Sequence, residues 1–121
     1  MSDPIDSAVS TTAQAQISSH VVHVISEYTG RGPTKAWTSM SGDLVSVVLR
    51  DTLTKGERTL VAADHSKLVL DTRAAYQAAM RTSLVEGVER ISGRQVIAFL
   101  SANHIDPDIA IESFVLEPEA R

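Results

Sequence analysis

Between residues 12 and 29 the apolar positions recur with the period of an α-helix. Ile17, Val21, Val24, Ile25 and Tyr28 fall on one stripe, the pattern of a helix that buries one face. Thr11 or Thr12 can cap its start, and Gly30 can stop it, since glycine takes a left-handed backbone without strain. Residues 1–11 are small and polar and predict a loose, flexible arm. In Gly30-Arg31-Gly32-Pro33 two glycines and a proline forbid a continued helix and predict a tight connection.

From residue 34 to 50 the period drops to two. Ala36, Thr38 and Met40 alternate with Lys35, Trp37 and Ser39, and Ser41-Gly42-Asp43 supplies a turn. The returning strand, Leu44 to Leu49, is nearly all apolar, with Val45, Val47 and Leu49 on one face and Leu44 and Val48 on the other. Such a strand is expected to be central or covered on both sides. Thr54 and Glu57 then have capping-box spacing at the head of a short helix over 54–64, which Gly56 weakens. The longest helix is predicted over 66–92, with Val69, Tyr76, Met80, Leu84, Val88 and Ile91 on one stripe. Gly87 lies inside that stripe and permits another element to approach closely; Gly93 ends the helix. A second hairpin is predicted over 94–101 and 109–116. Its connection, Asn103-His104-Ile105-Asp106-Pro107-Asp108, is rich in turn formers, and Pro118 ends the last strand.

The order α-β-β-α-α-β-β predicts an α+β fold. We expect a two-layer sandwich, with a four-stranded, mainly antiparallel sheet and helices packed on one face. No internal repeat or linker divides the chain, so a single domain is expected over 12–118, followed by a tail at 119–121. The 121 residues are 43% hydrophobic and 21% charged, a composition that can bury a core and argues against disorder. The chain has no cysteine, which removes disulfides, thiolate chemistry and Cys-dependent zinc sites and fits a cytoplasmic setting. A net charge of -4 lowers the case for nucleic acid, whose binding draws on a basic surplus. The first residues lack the pattern of a signal peptide, and no apolar run approaches the ~20 residues that span a bilayer. Direct membrane insertion is therefore not expected.

Several short elements occur together. Tyr28-Thr29-Gly30-Arg31-Gly32-Pro33 follows an apolar helix. Gly42-Asp43-Leu44-Val45, Leu53-Thr54-Lys55-Gly56-Glu57, an Arg-containing helix and Ser92-Gly93-Arg94-Gln95-Val96 come after it. In this combination the chain resembles the MpsC-like domain family over roughly residues 14–117. The family takes its name from a proposed bacterial system that generates membrane potential by cation translocation, a system also tied to bicarbonate and carbon dioxide uptake. The resemblance implies an accessory or regulatory protein and a membrane-transporter partner. It carries over no catalytic residue.

Arg73 falls inside the stripe of Val69, Tyr76 and Met80. A guanidinium there needs a partner, because an unpaired buried charge is costly. It either snorkels from the stripe edge, pairs with an acid such as Glu57, or faces a pocket and binds an anion with Arg31. Gly30 and Gly32 admit an anion cradle, but they follow a helix, whose C-terminal dipole disfavours anions; a helix stop leading into a strand is the simpler reading. His20 and His23 are three apart on the first helix without a third ligand at a suitable spacing, and fit surface or interface positions. His104, Asp106 and Asp108 share a turn but lack a calcium-loop pattern. No nucleophile elbow frames the scattered Ser, His and Asp residues. The α-β-β-α-α-β portion resembles KH-like modules of the second type, yet Ala63-Asp64-His65-Ser66-Lys67 lacks their Gly-x-x-Gly loop. No catalytic residue, metal or cofactor is assigned.

Two functional readings follow. The first is a non-enzymatic interaction or regulatory module that self-associates through a sheet face carrying some of Trp37, Ile97, Phe99, Phe114 and Leu116, or through the long helix. The second is a small-molecule binder or enzyme in which Arg31, Arg73 and Arg94 hold an anion such as bicarbonate or a carboxylate.

Overall fold

The computed structural model describes the backbone of residues 4–119 and the side chains of residues 12–119. Its elements are α1 (Pro4–Thr29), β1 (Lys35–Ser41), β2 (Leu44–Arg50), α2 (Lys55–Ala62), α3 (Ser66–Ser92), β3 (Val96–His104) and β4 (Ile109–Leu116). The four strands form one antiparallel sheet in the order β1-β2-β4-β3, and α1 and α3 pack together over one face. This is the expected two-layer α+β sandwich.

α1 starts at Pro4 rather than near residue 12. Proline suits a first helical position, where its missing N–H is no loss. The following residues contain no breaker, so a helix nucleated by the Ile17–Val24 stripe extends backwards at little cost. Residues 1–3 and the end of the expected tail lie outside the described residues. β3 is also longer than expected and runs through His104.

The core lies between the layers. Ile17, Val21 and Val24 of α1 and Met80, Leu84 and Val88 of α3 meet Val45, Val47, Leu49, Ala110, Phe114 and Leu116 of the sheet. Burying such side chains contributes about 1.5–3 kcal/mol each. β2 is central, as its apolar character required, but it is covered on one face only: Leu44 is 44% exposed. Phe99, Phe114 and Leu116 belong to the core side. The outer face instead carries Trp37 with Leu44, Leu100 and Ile111, with Ile97 exposed where the β3–β4 register shifts. Alternation explains this, because Ile111 and Ala110 are adjacent on β4 and must point to opposite sides.

The helices cross where Gly87 removes a side chain. A β-carbon there would lie within the His20 ring of α1. Instead His20 Nε2 donates to the Ser83 carbonyl at 2.9 Å, and Tyr28 reaches the Ser83 hydroxyl at 3.3 Å.

Candidate functional site

One end of the sheet is organised around the connector from β2 to α2. Asp51 has φ 56, a left-handed backbone that is unusual outside glycine, and its side chain is held in place. Its carboxylate accepts from the Thr34 hydroxyl at 2.9 Å and Arg31 Nη2 at 2.9 Å. The Thr34 hydroxyl, followed by the charges of Arg31 and Arg58, keeps this carboxyl below its usual range against the opposing effect of burial. Arg31 Nη1 also donates to the carbonyls of Asp51 (2.8 Å) and Leu53 (3.1 Å). Across the connector, Asp108 accepts from the Thr52 hydroxyl at 2.7 Å and the Leu53 N–H at 2.9 Å.

Arg73 grips the same segment from α3. Nε and Nη2 donate to the two Glu57 oxygens, both at 2.9 Å. Nη1 donates to the Thr52 hydroxyl at 2.7 Å and Asn103 Oδ1 at 3.3 Å, and Nη2 also donates to the Thr52 carbonyl at 2.8 Å. A guanidinium has five N–H groups, and here all five are engaged. Glu57 closes the capping box of α2 at the same time, accepting from the Thr54 N–H while its own N–H donates to the Thr54 hydroxyl. Burial would raise the Glu57 carboxyl, but the Arg73 bonds and charge and the Thr54 N–H outweigh it and hold it below its usual value. The ion pair anticipated for Arg73 is therefore present, with the anticipated acid.

Beside this pair, between the helices and the sheet, opens a pocket of about 250 Å³. Ile25, Leu49, Met80 and Ala110 form its apolar wall; Tyr76, Gln77, Asn103 and Glu112 add polar groups. Glu112 is the unusual member. It sits on β4 opposite Val47 and Ser101, facing the core, and is 1% exposed. Its Oε1 has one long contact from Gln77 Nε2 at 3.4 Å, and its Oε2 has no partner. Burial pushes its acid up to about 7, against the smaller opposing pull of Ser101, Gln77 and the Arg73 charge. The Ser101 hydroxyl across the ladder is near enough to exert that pull but not to form a well-aligned hydrogen bond, and is itself unpaired. Gln77 and Asn103 are occupied with each other, exchanging amide bonds of 3.0 and 3.1 Å.

The residues proposed from sequence do not converge on this pocket. Arg73 lines it without a spare N–H. Arg31 faces the connector. Arg94 lies at the opposite end of the sheet, where it ties Asp43 and the Gly42 carbonyl of the β1–β2 turn to the Glu117 carbonyl after β4. Gly30 (φ 80) caps α1, its N–H donating to the Ser26 carbonyl at 2.9 Å. Gly32 lets the chain pass against Ser26 and Val22 of α1. His20 packs on α3, and His23 pairs with Glu27 at 3.2 Å on the surface. His104 turns to the Pro107 carbonyl at 2.8 Å, while Asp108 is taken up by Thr52 and Leu53, and among the described residues no cluster suited to a metal ion forms.

Sequence reasoning missed Glu112, Gln77 and Asn103 as pocket residues. One signal was available: Glu112 shares the β4 parity of Ala110, Phe114 and Leu116, so it had to face wherever they faced.

Among the described residues no helix is long and apolar enough to cross a membrane. No curated protein and no solved structure matches the chain. Residues 10–118, nearly its whole length, match the family described as Na+-translocating membrane potential-generating system (MpsC). The chain accordingly belongs to the MpsC family.

Proposed function

We propose that the protein is a non-enzymatic accessory module of the cation-linked system by which its family is described, and that it holds a small molecule in the Glu112 pocket. The observation that carries this reading is the buried carboxyl of Glu112, one oxygen of which has no partner, beside the apolar wall of the cleft. Leaving such a group unsatisfied costs about 1–3 kcal/mol, and a few convergent polar groups on an apolar wall are what small-molecule sites use for orientation. A thermal-shift screen of metabolites tests it. A ligand present far above its Kd raises the unfolding midpoint by several degrees, and Ala110→Met, which fills the pocket from the sheet side, abolishes the shift. A broad library that leaves the wild-type midpoint unmoved at millimolar concentration defeats the reading.

The outer sheet face supports a second reading, self-association. Trp37, Leu44, Leu100 and Ile111 are each at least 40% exposed there. Strands about 4.8 Å apart and about 3.4 Å per residue give a face on the order of 500 Å² in outline. With side chains counted, that approaches the ~800 Å² each partner contributes to a standard interface. The central serines already satisfy one another, Ser46 and Ser113 at 3.4 Å, so burial costs them little. Lys35 and Arg50 sit together at one end. A two-fold stack with opposed strand directions keeps the two cationic ends apart, which favours a second copy of the chain as the occupant.

A further inference from the structure

We infer that the pocket takes a small organic cation, a protonated amine on an apolar body of about ten non-hydrogen atoms, with Glu112 as its counter-ion. This rests on the pocket being a ligand site.

The hydrogen-bonding capacity left in the pocket selects the ligand's charge. All five Arg73 N–H groups are engaged. Both Glu57 oxygens accept from Arg73, and one also accepts from Thr54. The Gln77 and Asn103 amides bond each other, and the Thr52 hydroxyl bridges Arg73 and Asp108. The Thr72 and Tyr76 side chains are exposed and reach water, so among the buried lining groups Glu112 is what remains: Oε2 has no partner and Oε1 has one long contact. The spare capacity in the pocket thus belongs to an acid. An anionic ligand would meet two carboxyl groups, and the nearby guanidinium has no donor left for it. An ammonium supplies both the charge and the N–H groups that a carboxylate accepts.

The remaining walls suit the rest of such a molecule. Ile25, Leu49, Met80 and Ala110 offer apolar contact, and Tyr76 adds a partly exposed aromatic ring to the lining. In size, the pocket exceeds the engineered cavity of about 150 Å³ that accepts benzene, which sets the scale of the ligand.

Binding is then coupled to a proton. Glu112 holds its proton about half the time near pH 7, and pairing with an ammonium requires the carboxylate, so the proton leaves to solvent. The groups around Glu112 are Arg73 and Gln77 from α3, with the exposed Tyr76 of the same helix in the pocket lining, Ser101 and Asn103 from β3, and Glu57 beyond Arg73; β2 and α1 contribute Val47, Leu49, Ile25 and Thr29, which carry no charge. Arg73 and Glu57 offset each other, leaving Glu112 as the group that titrates.

Calorimetry on the full chain with three matched probes tests the inference: 2-phenylethylammonium, 2-phenylethanol and phenylacetate. At pH 8 the ammonium should bind at least tenfold more tightly than either other probe. Its affinity should fall about tenfold per pH unit below 7 and level off above it. Glu112→Gln should erase the preference and the pH slope, and Ala110→Met should abolish binding while leaving Glu112 in place. Equal or tighter binding of the alcohol or the carboxylate overturns the cation assignment and leaves the pocket as a ligand site. Absence of binding by the ammonium also overturns it, and the fate of the pocket reading is then decided by the library screen. A pH-independent affinity for the ammonium sinks the counter-ion role of Glu112.

Discussion

Glu112 stands on a strand whose inward neighbours are Ala110, Phe114 and Leu116, and the sheet leaves it no exit to water. Its acid is pushed up from 4.5 to about 7, so between those values the folded protein holds a proton that the unfolded chain releases. Stability from this group is complete below pH 4.5 and is lost as pH rises through about 7. The loss amounts to about 3 kcal/mol, at 1.36 kcal/mol per pH unit. Urea unfolding across that window should therefore show a falling free energy in the wild type and a nearly flat one in Glu112→Gln. A wild-type stability that rises over the same window would show that Glu112 is not buried as a neutral acid. Asp51 and Glu57 act in the opposite sense: their carboxyls are held low, and what they contribute is lost only as pH falls through the acidic range.

At the scale of elements, the crossing of α1 over α3 depends on a missing side chain. Gly87 admits the His20 ring, which in turn satisfies the second lone pair of the Ser83 carbonyl. Alanine at 87 would favour the helix by about 1 kcal/mol on propensity alone. Here, however, its β-carbon displaces the ring and opens the crossing, a close-packing clash that costs about 1–3 kcal/mol. Gly87→Ala should thus destabilise the wild type, whereas in a His20→Ala background the same change should be neutral or stabilising. Thermal unfolding of the four variants gives the coupling, and additive effects would exclude the contact. α2 shows a different logic. It contributes no buried residue and is held by its capping box and by the Glu57–Arg73 pair, so it is attached through polar groups rather than through a core.

For the whole molecule, the two-layer plan leaves one sheet face without a partner layer. If two copies cover each other's faces, sedimentation equilibrium should report a dimer at tens of micromolar. Leu100→Lys with Ile111→Lys should return it to a monomer with an unchanged circular dichroism spectrum, because both side chains are exposed. A wild-type chain that remains monomeric at millimolar concentration removes this reading and does not touch the pocket. The two functional readings use opposite faces of the sheet, so a protein in which both operate would keep its pocket accessible when paired.

Local periodicity sufficed for the elements. The helical stripe of α3 predicted its bounds over 66–92, and the alternation of Ala36, Thr38 and Met40 predicted that these three share one side of β1. The Thr54–Glu57 spacing predicted a cap that forms as written. These features depend on neighbours a few residues away, which a sequence displays. The start of α1 was less legible, because small polar residues fit both a loose arm and a helix extended from a strong nucleus. The pocket depended on the tertiary structure. Arg31, Arg73 and Arg94 look alike in the sequence, yet their roles follow from which acids and carbonyls the fold brings to them: Asp51, Glu57 and Asp43, at sequence separations that no spacing rule connects. Glu112 differs from an exposed strand glutamate only because α3 and α1 close over its face. Sequence by itself determined the elements and which residues of each strand share a face. Only the packing of helices against sheet decided which charges found partners and which buried carboxyl kept an oxygen without one.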